Sequence, residues 1–474
     1  MKFIHLRKPL LLLFIIGTLQ VSAQEFILRK GVVMDAVKVA DSLPGSFSLF
    51  IPSNFEMNKK WPVFFVFDYD GREKQVIRLL ATSAEENGFI LAASNNLRDT
   101  LSISENVMEF GKTYNTVVSM LPVNFDQIYT VGFGESGDLA STMPAFMRGI
   151  AGILSYGSSI INLDIINTKR TYQYVGVVNK GDFNYLGMIA NEQALNKLKF
   201  PNELLVVDEN QQWPTQEVLN DAFLIFKLSA MAKGNVAKDE NYITVNFEKA
   251  TNKIQEFIVA NKLIKAERLL NQTIKIFNPF KDIQPLKEQQ QRIKKDKIYK
   301  SLKRAETNTF FKEELMKEDY DYYLEEDIDT YNFNNLGWWT YQMEEITKFK
   351  KSPNAEQQYM GQRLEGYLKA LVEDNLDLVF SNENLDNDAI SFLWMLKTIV
   401  APKDYDVYLK LISHSAKFND FGTSLFYLEE LLKNGYTDAD KLYDLEFTSL
   451  LKLTPEYNII IEKYLEKARY LLRE

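Results

Sequence analysis

Apolar residues fall along this chain in two rhythms. From about residue 25 to 233, short runs rich in β-branched and aromatic residues alternate with stretches whose apolar positions recur every three or four residues. The first two runs, EFILRKGVVMDAVKVAD and GSFSLFIPSNF, predict a leading antiparallel pair. WPVFFVF then predicts a buried strand and residues 73–87 a helix; GFILAAS predicts a strand and 104–120 a helix ending near Pro122. DQIYTVGF predicts a strand, followed by a short helix at 138–147. GIAGILSYG, TYQYVGVVN and NELLVVD predict further strands, with helices at EQALNKL and TQEVLNDAFLIFKLSAMA. Nearly continuous apolar strands separated by helices predict an α/β fold, a mostly parallel sheet covered on both faces.

From about residue 236 the strand signals stop. LIKAERLLNQTIKIF, NAEQQYMGQRLEGYLKALVE, AISFLWMLKTIV and LFYLEELLKNGY carry apolar residues at helical spacing. Leu425, Leu428 and Leu432 share one face, Asn434-Gly435 predicts a helix stop, and Thr454-Pro455 predicts an N-cap with proline in the first turn. These features predict an all-α array over 236–474. Its last unit resembles tetratricopeptide-like helical repeats, although no 34-residue self-similarity runs through it.

A length of 474 residues suits two or three domains. Lys2, Arg7 and Lys8, the apolar stretch PLLLLFIIGTL and the small residues VSA before Gln24 predict a secretory leader over 1–23. No later run is apolar enough to predict a spanning segment. The formal net charge is −9, and loss of the three basic leader residues makes it −12. Such acidity argues against non-specific nucleic-acid binding. There is no cysteine, which excludes disulfides, thiolate metal sites and a cysteine nucleophile. Only His5, inside the leader, and His414 exist, so a mature catalytic site would have one histidine at its disposal. The sequence predicts no metal site and no cofactor.

The candidate chemistry gathers where VGFGESGD (131–138) follows the strand QIYTV. Together with PVFFVFDYDGR, AEENGFILAASNN, GIAGILSYGS, GDFNYLGMIANEQALNKL and ELLVVDENQQWPTQEVLNDAF, it resembles the secreted α/β-hydrolase superfamily, esterase and depolymerase-like, over about residues 45–233. That resemblance implies a nucleophile in a Gly-x-Ser-x-Gly turn. Gly132 and Phe133 fit this pattern; the nucleophile position then falls on Gly134, followed by Glu135 and Ser136-Gly137. A slipped register would make Ser136 the nucleophile, two residues further into the helix and with Asp138 in place of the last glycine. The resemblance also implies a histidine just before Trp213-Pro214, where Gln211 stands, and glutamine cannot take and return a proton near neutral pH. Asp182 fits the acid of the triad. Asp68 and Asp70 stand where an oxyanion site would form, and carboxylates oppose a developing oxyanion.

Other readings attach to the same residues. Asp68-x-Asp70-Gly71 after an apolar strand also resembles the nucleophile motif of haloacid-dehalogenase-type phosphatases, though Arg72 follows it and Leu186 stands where a second acid is usual. His414 is expected on a helix surface and Trp213 beneath the last helix of the first domain. GWWTYQMEE (337–345) suits either helical core or an aromatic ligand platform. The basic run RIKKDKIYKSLKR and the acidic EELMKEDYDYYLEEDIDTY suit a solvated charged helix or a docking face for a charged partner. The sequence therefore predicts an exported, non-catalytic hydrolase-like domain (24–233) joined to a helical domain (236–474). Its cleft would hold a small molecule or peptide, and its helices an envelope protein partner. The enzyme alternatives are a serine hydrolase using Ser136 and Asp182, or a phosphatase using Asp68.

Overall fold

The computed structural model describes residues 28–39, 44–160, 162–208 and 213–470. The predicted leader and Gln211 lie outside the described residues. Eight strands form one sheet: β1 (Val33–Lys38), β2 (Ser46–Phe50), β3 (Trp61–Phe67), β4 (Ile90–Ser94), β5 (Val123–Phe133), β6 (Ile150–Tyr156), β7 (Gln173–Asn179) and β8 (Asn202–Val207). Their spatial order is β1-β2-β4-β3-β5-β6-β7-β8. β1 and β2 are the predicted antiparallel pair, β2 also runs antiparallel to β4, and all other neighbours are parallel.

Helices α1 (Glu73–Asn87), α2 (Ile103–Met120), α3 (Ser136–Phe146), α4 (Tyr185–Lys197) and α5 (Gln216–Ala232) alternate with the parallel strands. Side-chain alternation in β3 explains the continuous run WPVFFVF. Val63, Phe65 and Phe67 join the core on one face of the sheet, Phe64 and Val66 the core on the other. Phe64 is ringed by Phe89, Tyr129, Phe223 and Phe226 at centroid distances of 4.8 to 5.3 Å. This cluster clamps α5 to the sheet.

The rest of the chain is helical: α6 (Glu240–Val259), α7 (Leu263–Phe277), α8 (Gln284–Lys295), α9 (Lys297–Thr330), α10 (Leu336–Lys350), α11 (Ala355–Phe380), α12 (Asn387–Val400), α13 (Tyr405–Lys417), α14 (Phe421–Lys433), α15 (Ala439–Tyr443) and α16 (Pro455–Leu465). Thr454 caps α16 by accepting from the Tyr457 amide, with Pro455 in the first turn. In the aromatic segment at the start of α10, Trp339 is fully buried and donates its Nε1–H to Asp327 at 2.8 Å, while Tyr341 stays exposed. His414 departs from its expected surface position. It lies half-buried and edge-on to Trp394 (5.2 Å) and Phe418 (5.0 Å), where desolvation lowers its pKa.

Two seams join the helices to the sheet. At the first, α7 covers the free edge of β8. Arg268 donates to the Leu204 carbonyl (3.2 Å) and Lys275 to the Asn202 carbonyl (3.4 Å), so carbonyls that would have lacked a strand partner are satisfied. Between them Glu203 is buried, and desolvation pushes its carboxyl up to about 8 despite Lys275 at 3.7 Å. At the second seam α11 lies over the loops that follow β7 and β8.

Candidate site at the carboxyl ends of the strands

The turn between β5 and α3 is shaped by two glycines with different reasons to be glycine. A Cβ on Gly132 would lie 2.3 Å from the Ser136 carbonyl oxygen and 2.6 Å from the Gly137 amide nitrogen, because helix and strand nearly touch there. Gly134 has φ +55°, the left-handed region, and a Cβ on it would meet nothing within 4 Å. Its amide donates to the Tyr156 carbonyl (2.8 Å), and its carbonyl accepts from Gly137 (2.9 Å). Gly134 is thus the exposed tip of the turn, aimed at open space and carrying no side chain.

Ser136 faces the other way. It is 1 % exposed, and its hydroxyl accepts from the Phe133 amide (3.0 Å) while lying 2.8 Å from the Phe67 carbonyl and 2.9 Å from that of Phe133. The hydroxyl therefore ties the end of β3 to the end of β5 from behind the turn. Nucleophilic attack needs a free hydroxyl beside a base, and this one is enclosed by backbone.

Asp68, at the end of β3, is completely buried. It accepts from the Arg72 amide (2.8 Å) and from the Arg72 guanidinium at Nη2 (2.7 Å) and Nε (3.2 Å), while Asp70 pairs with the same guanidinium from the solvent side. Arg72 then stacks on Trp213, 4.9 Å from the ring centroid, and Trp213 packs on Phe133 at 5.6 Å. Trp213 thus sits over the strand ends rather than beneath a helix. The phosphatase reading requires an Asp68 carboxylate open to substrate and metal; Arg72 occupies both of its oxygens.

Asp182 lies in the loop after β7 and accepts from the Asn184 amide (2.8 Å), holding the first turn of α4. A Cβ on Gly157 would lie 3.2 Å from its Oδ2, which brings the loops after β6 and β7 together. Burial raises the pKa of Asp182. Burial also raises Asp138, opposed by the 2.6 Å bond from Ser158, and raises exposed Glu135, helped by the charges of Asp99, Asp70 and Asp374. The Tyr69 hydroxyl is pushed up to about 12 by burial and by Asp138, Glu135 and Asp99. The strand ends thus form an acidic floor. Among the described residues no group of three or more His, Asp or Glu side chains has metal-holding geometry, and no helix is long and apolar enough to cross a membrane.

Helix α11 closes one side of this floor. Arg363 is fully buried, donates to Glu313 of α9 (2.6 and 2.8 Å) and reaches across to the Lys180 carbonyl in the loop after β7 (2.7 Å). Tyr359 donates to the Asp208 carbonyl after β8 (3.2 Å), Lys180 pairs with Glu356 (3.3 Å), and Gly366 lets Phe183 approach α11 closely. Sequence reasoning placed Asp68, Asp70, Gly134, Glu135, Ser136, Asp182 and Trp213 in this region, and the structure gathers them at the strand ends. It missed the residues that bind the region together. The i,i+4 spacing of Asp68 and Arg72 was a usable signal, whereas nothing local links Arg363 to Glu313.

No protein-family model matches the sequence, and no curated protein matches it. Among solved structures, the chain is similar to a fluorophosphonate-binding serine hydrolase of Staphylococcus aureus, with 10 % identity and a TM-score of 0.34 over 41 % of this chain and 97 % of that one. It is also similar to a dienelactone hydrolase of Anabaena variabilis, with 14 % identity and a TM-score of 0.34 over 42 % and 97 %. A third is the acetyl ester-xyloside bifunctional hydrolase of Caldicellulosiruptor lactoaceticus, with 13 % identity and a TM-score of 0.29 over 39 % and 88 %. At these scores the likenesses assign no activity to the chain.

Proposed function

We propose that this protein is an exported, non-catalytic binding or scaffold component of a bacterial envelope, built on a hydrolase-like domain whose catalytic turn is vacant. The observation that carries this reading is Gly134: the tip of the strand-to-helix turn has the backbone of a nucleophile position and no nucleophile. The neighbouring hydroxyl, Ser136, is committed to backbone groups of two strands. The acidic floor of Asp70, Glu135 and Asp138 further supports it, since such a surface repels a developing oxyanion. The loops that would supply a triad's acid and base are fastened by α11, in keeping with a structural use of those loops. The leader pattern over residues 2–23 supports export.

Fluorophosphonate labelling and p-nitrophenyl acetate turnover test this reading on the mature protein and on Ser136→Ala. Neither signal should exceed background in either protein. Labelling at Ser136 that is lost in the variant would overturn the proposal and establish a serine hydrolase with an unconventional base.

A further inference from the structure

Helix α9 runs for 34 residues, far beyond the ten to fourteen or so usual in globular proteins. One face is buried through Tyr299, Glu306, Glu313, Tyr320, Leu324 and Asp327. At 100° per residue, the opposite face carries Lys297, Lys300, Arg304, Phe311, Leu315, Glu318, Tyr322, Glu325, Glu326 and Asp329, all exposed. Three features of this outward stripe are unexpected for a merely solvated helix. It displays Phe311, Leu315 and Tyr322 at 67, 46 and 61 % exposure. From Phe311 onward its positions 311, 315, 318, 322, 325 and 329 follow the alternating four- and three-residue steps of a helix-pairing seam. Its charges are segregated: residues 297–304 hold four basic and no acidic side chains, and 318–329 hold seven acidic and no basic ones. Lys297, Lys300, Arg304, Glu325, Glu326 and Asp329 form no ion pair among the described residues.

We infer that α9 pairs antiparallel with α9 of a second copy of this chain, about a two-fold axis near residue 313. In that register Phe311 meets the partner's Leu315, and each basic end lies against an acidic end. Lys297 faces the partner's Asp329, Lys300 the partner's Glu326, and Arg304 the ring of the partner's Tyr322. Each contact occurs twice, as a two-fold axis requires. Parallel pairing would bring basic end to basic end and acidic to acidic, so charge selects the antiparallel arrangement. The seam is about 48 Å long from Lys297 to Asp329 at 1.5 Å per residue. This goes beyond the binding role proposed above and stands or falls separately from it.

Sedimentation equilibrium of the full mature chain is expected to show a dimer that weakens as salt is raised. Phe311→Glu should weaken association about tenfold or more. Lys300→Glu/Arg304→Glu and Glu325→Lys/Glu326→Lys should each weaken self-association, with unchanged circular dichroism. Mixing these two variants should restore a heterodimer, because each reversed end then meets its reversed complement. Since the chain has no cysteine, a mixture of Phe311→Cys and Leu315→Cys chains should cross-link mainly as the mixed pair. A monomeric wild type, failure of the mixture to recover, or mainly 311–311 cross-linking would overturn the inference.

Discussion

Asp68 and Glu313 are both fully buried against an arginine, and they do different work. Asp68 and Arg72 are four residues apart, so their pair closes one turn and holds Trp213 over the strand ends. Glu313 and Arg363 are fifty residues apart, and their pair fastens α9 to α11 and, through the Lys180 carbonyl, the helical layer to the sheet. The first is a local fitting that folds with its own segment. The second exists only once three distant segments have met. The same chemistry therefore supports a turn in one place and the joint between two halves of the chain in the other.

The largest expected effect tests this contrast directly. Arg363→Met leaves Glu313 buried with only Lys317 beside it (3.1 Å) and should cost about 3–5 kcal/mol in urea unfolding. Arg363→Met/Glu313→Leu should recover much of that loss. A loss below that of Asp68→Asn, expected at about 1.5–3 kcal/mol, would abolish the distinction. Next come the glycines of the β5–α3 turn. Gly132→Ala drives a Cβ into backbone and should cost about 1–3 kcal/mol or more. Gly134→Ser has room and should cost only the left-handed backbone term of about 1–2 kcal/mol. Ser136→Ala leaves the buried Phe133 amide without its acceptor and should cost about 1–3 kcal/mol.

A separate kind of measurement divides the halves by pH. Glu203 takes up a proton more readily folded than unfolded, so its contribution favours the fold at low pH and fades as pH climbs from 4.5 towards about 8. For His414 the sign reverses: its pKa is lowered in the fold, so its contribution is complete above 6.5 and fades as pH falls below that value. In urea midpoints followed against pH, Glu203→Gln should flatten the fall in stability between pH 4.5 and about 8, and His414→Gln the loss below 6.5. Equal slopes in wild type and variants would show that neither group is coupled to folding.

The strands were legible because burial on both faces demands runs such as WPVFFVF, and such runs have few other uses. The helix boundaries followed from caps and stops such as Thr454-Pro455 and Asn434-Gly435. The strand-to-helix turn was legible as well, since a tight corner requires glycine in a fixed place. What stayed hidden was long-range. No pattern near Lys180 announces that its carbonyl receives Arg363, and His414 sits on a helix whose periodicity does not reveal Trp394 packed against it. Asp68 was readable only in part: the motif drew the eye to metal chemistry, while Arg72 four residues on determined its partner.

The edge of β8 carries a consequence for how the gene can be divided. Arg268 and Lys275 of α7 occupy the outer carbonyls of the last strand and shelter Glu203. A chain ended after α5 would present that edge bare, with a carboxylate suddenly in water and a row of groups ready to recruit another strand. The break in sequence character near residue 235 thus invites truncation where it would strip α7 from the edge of the sheet.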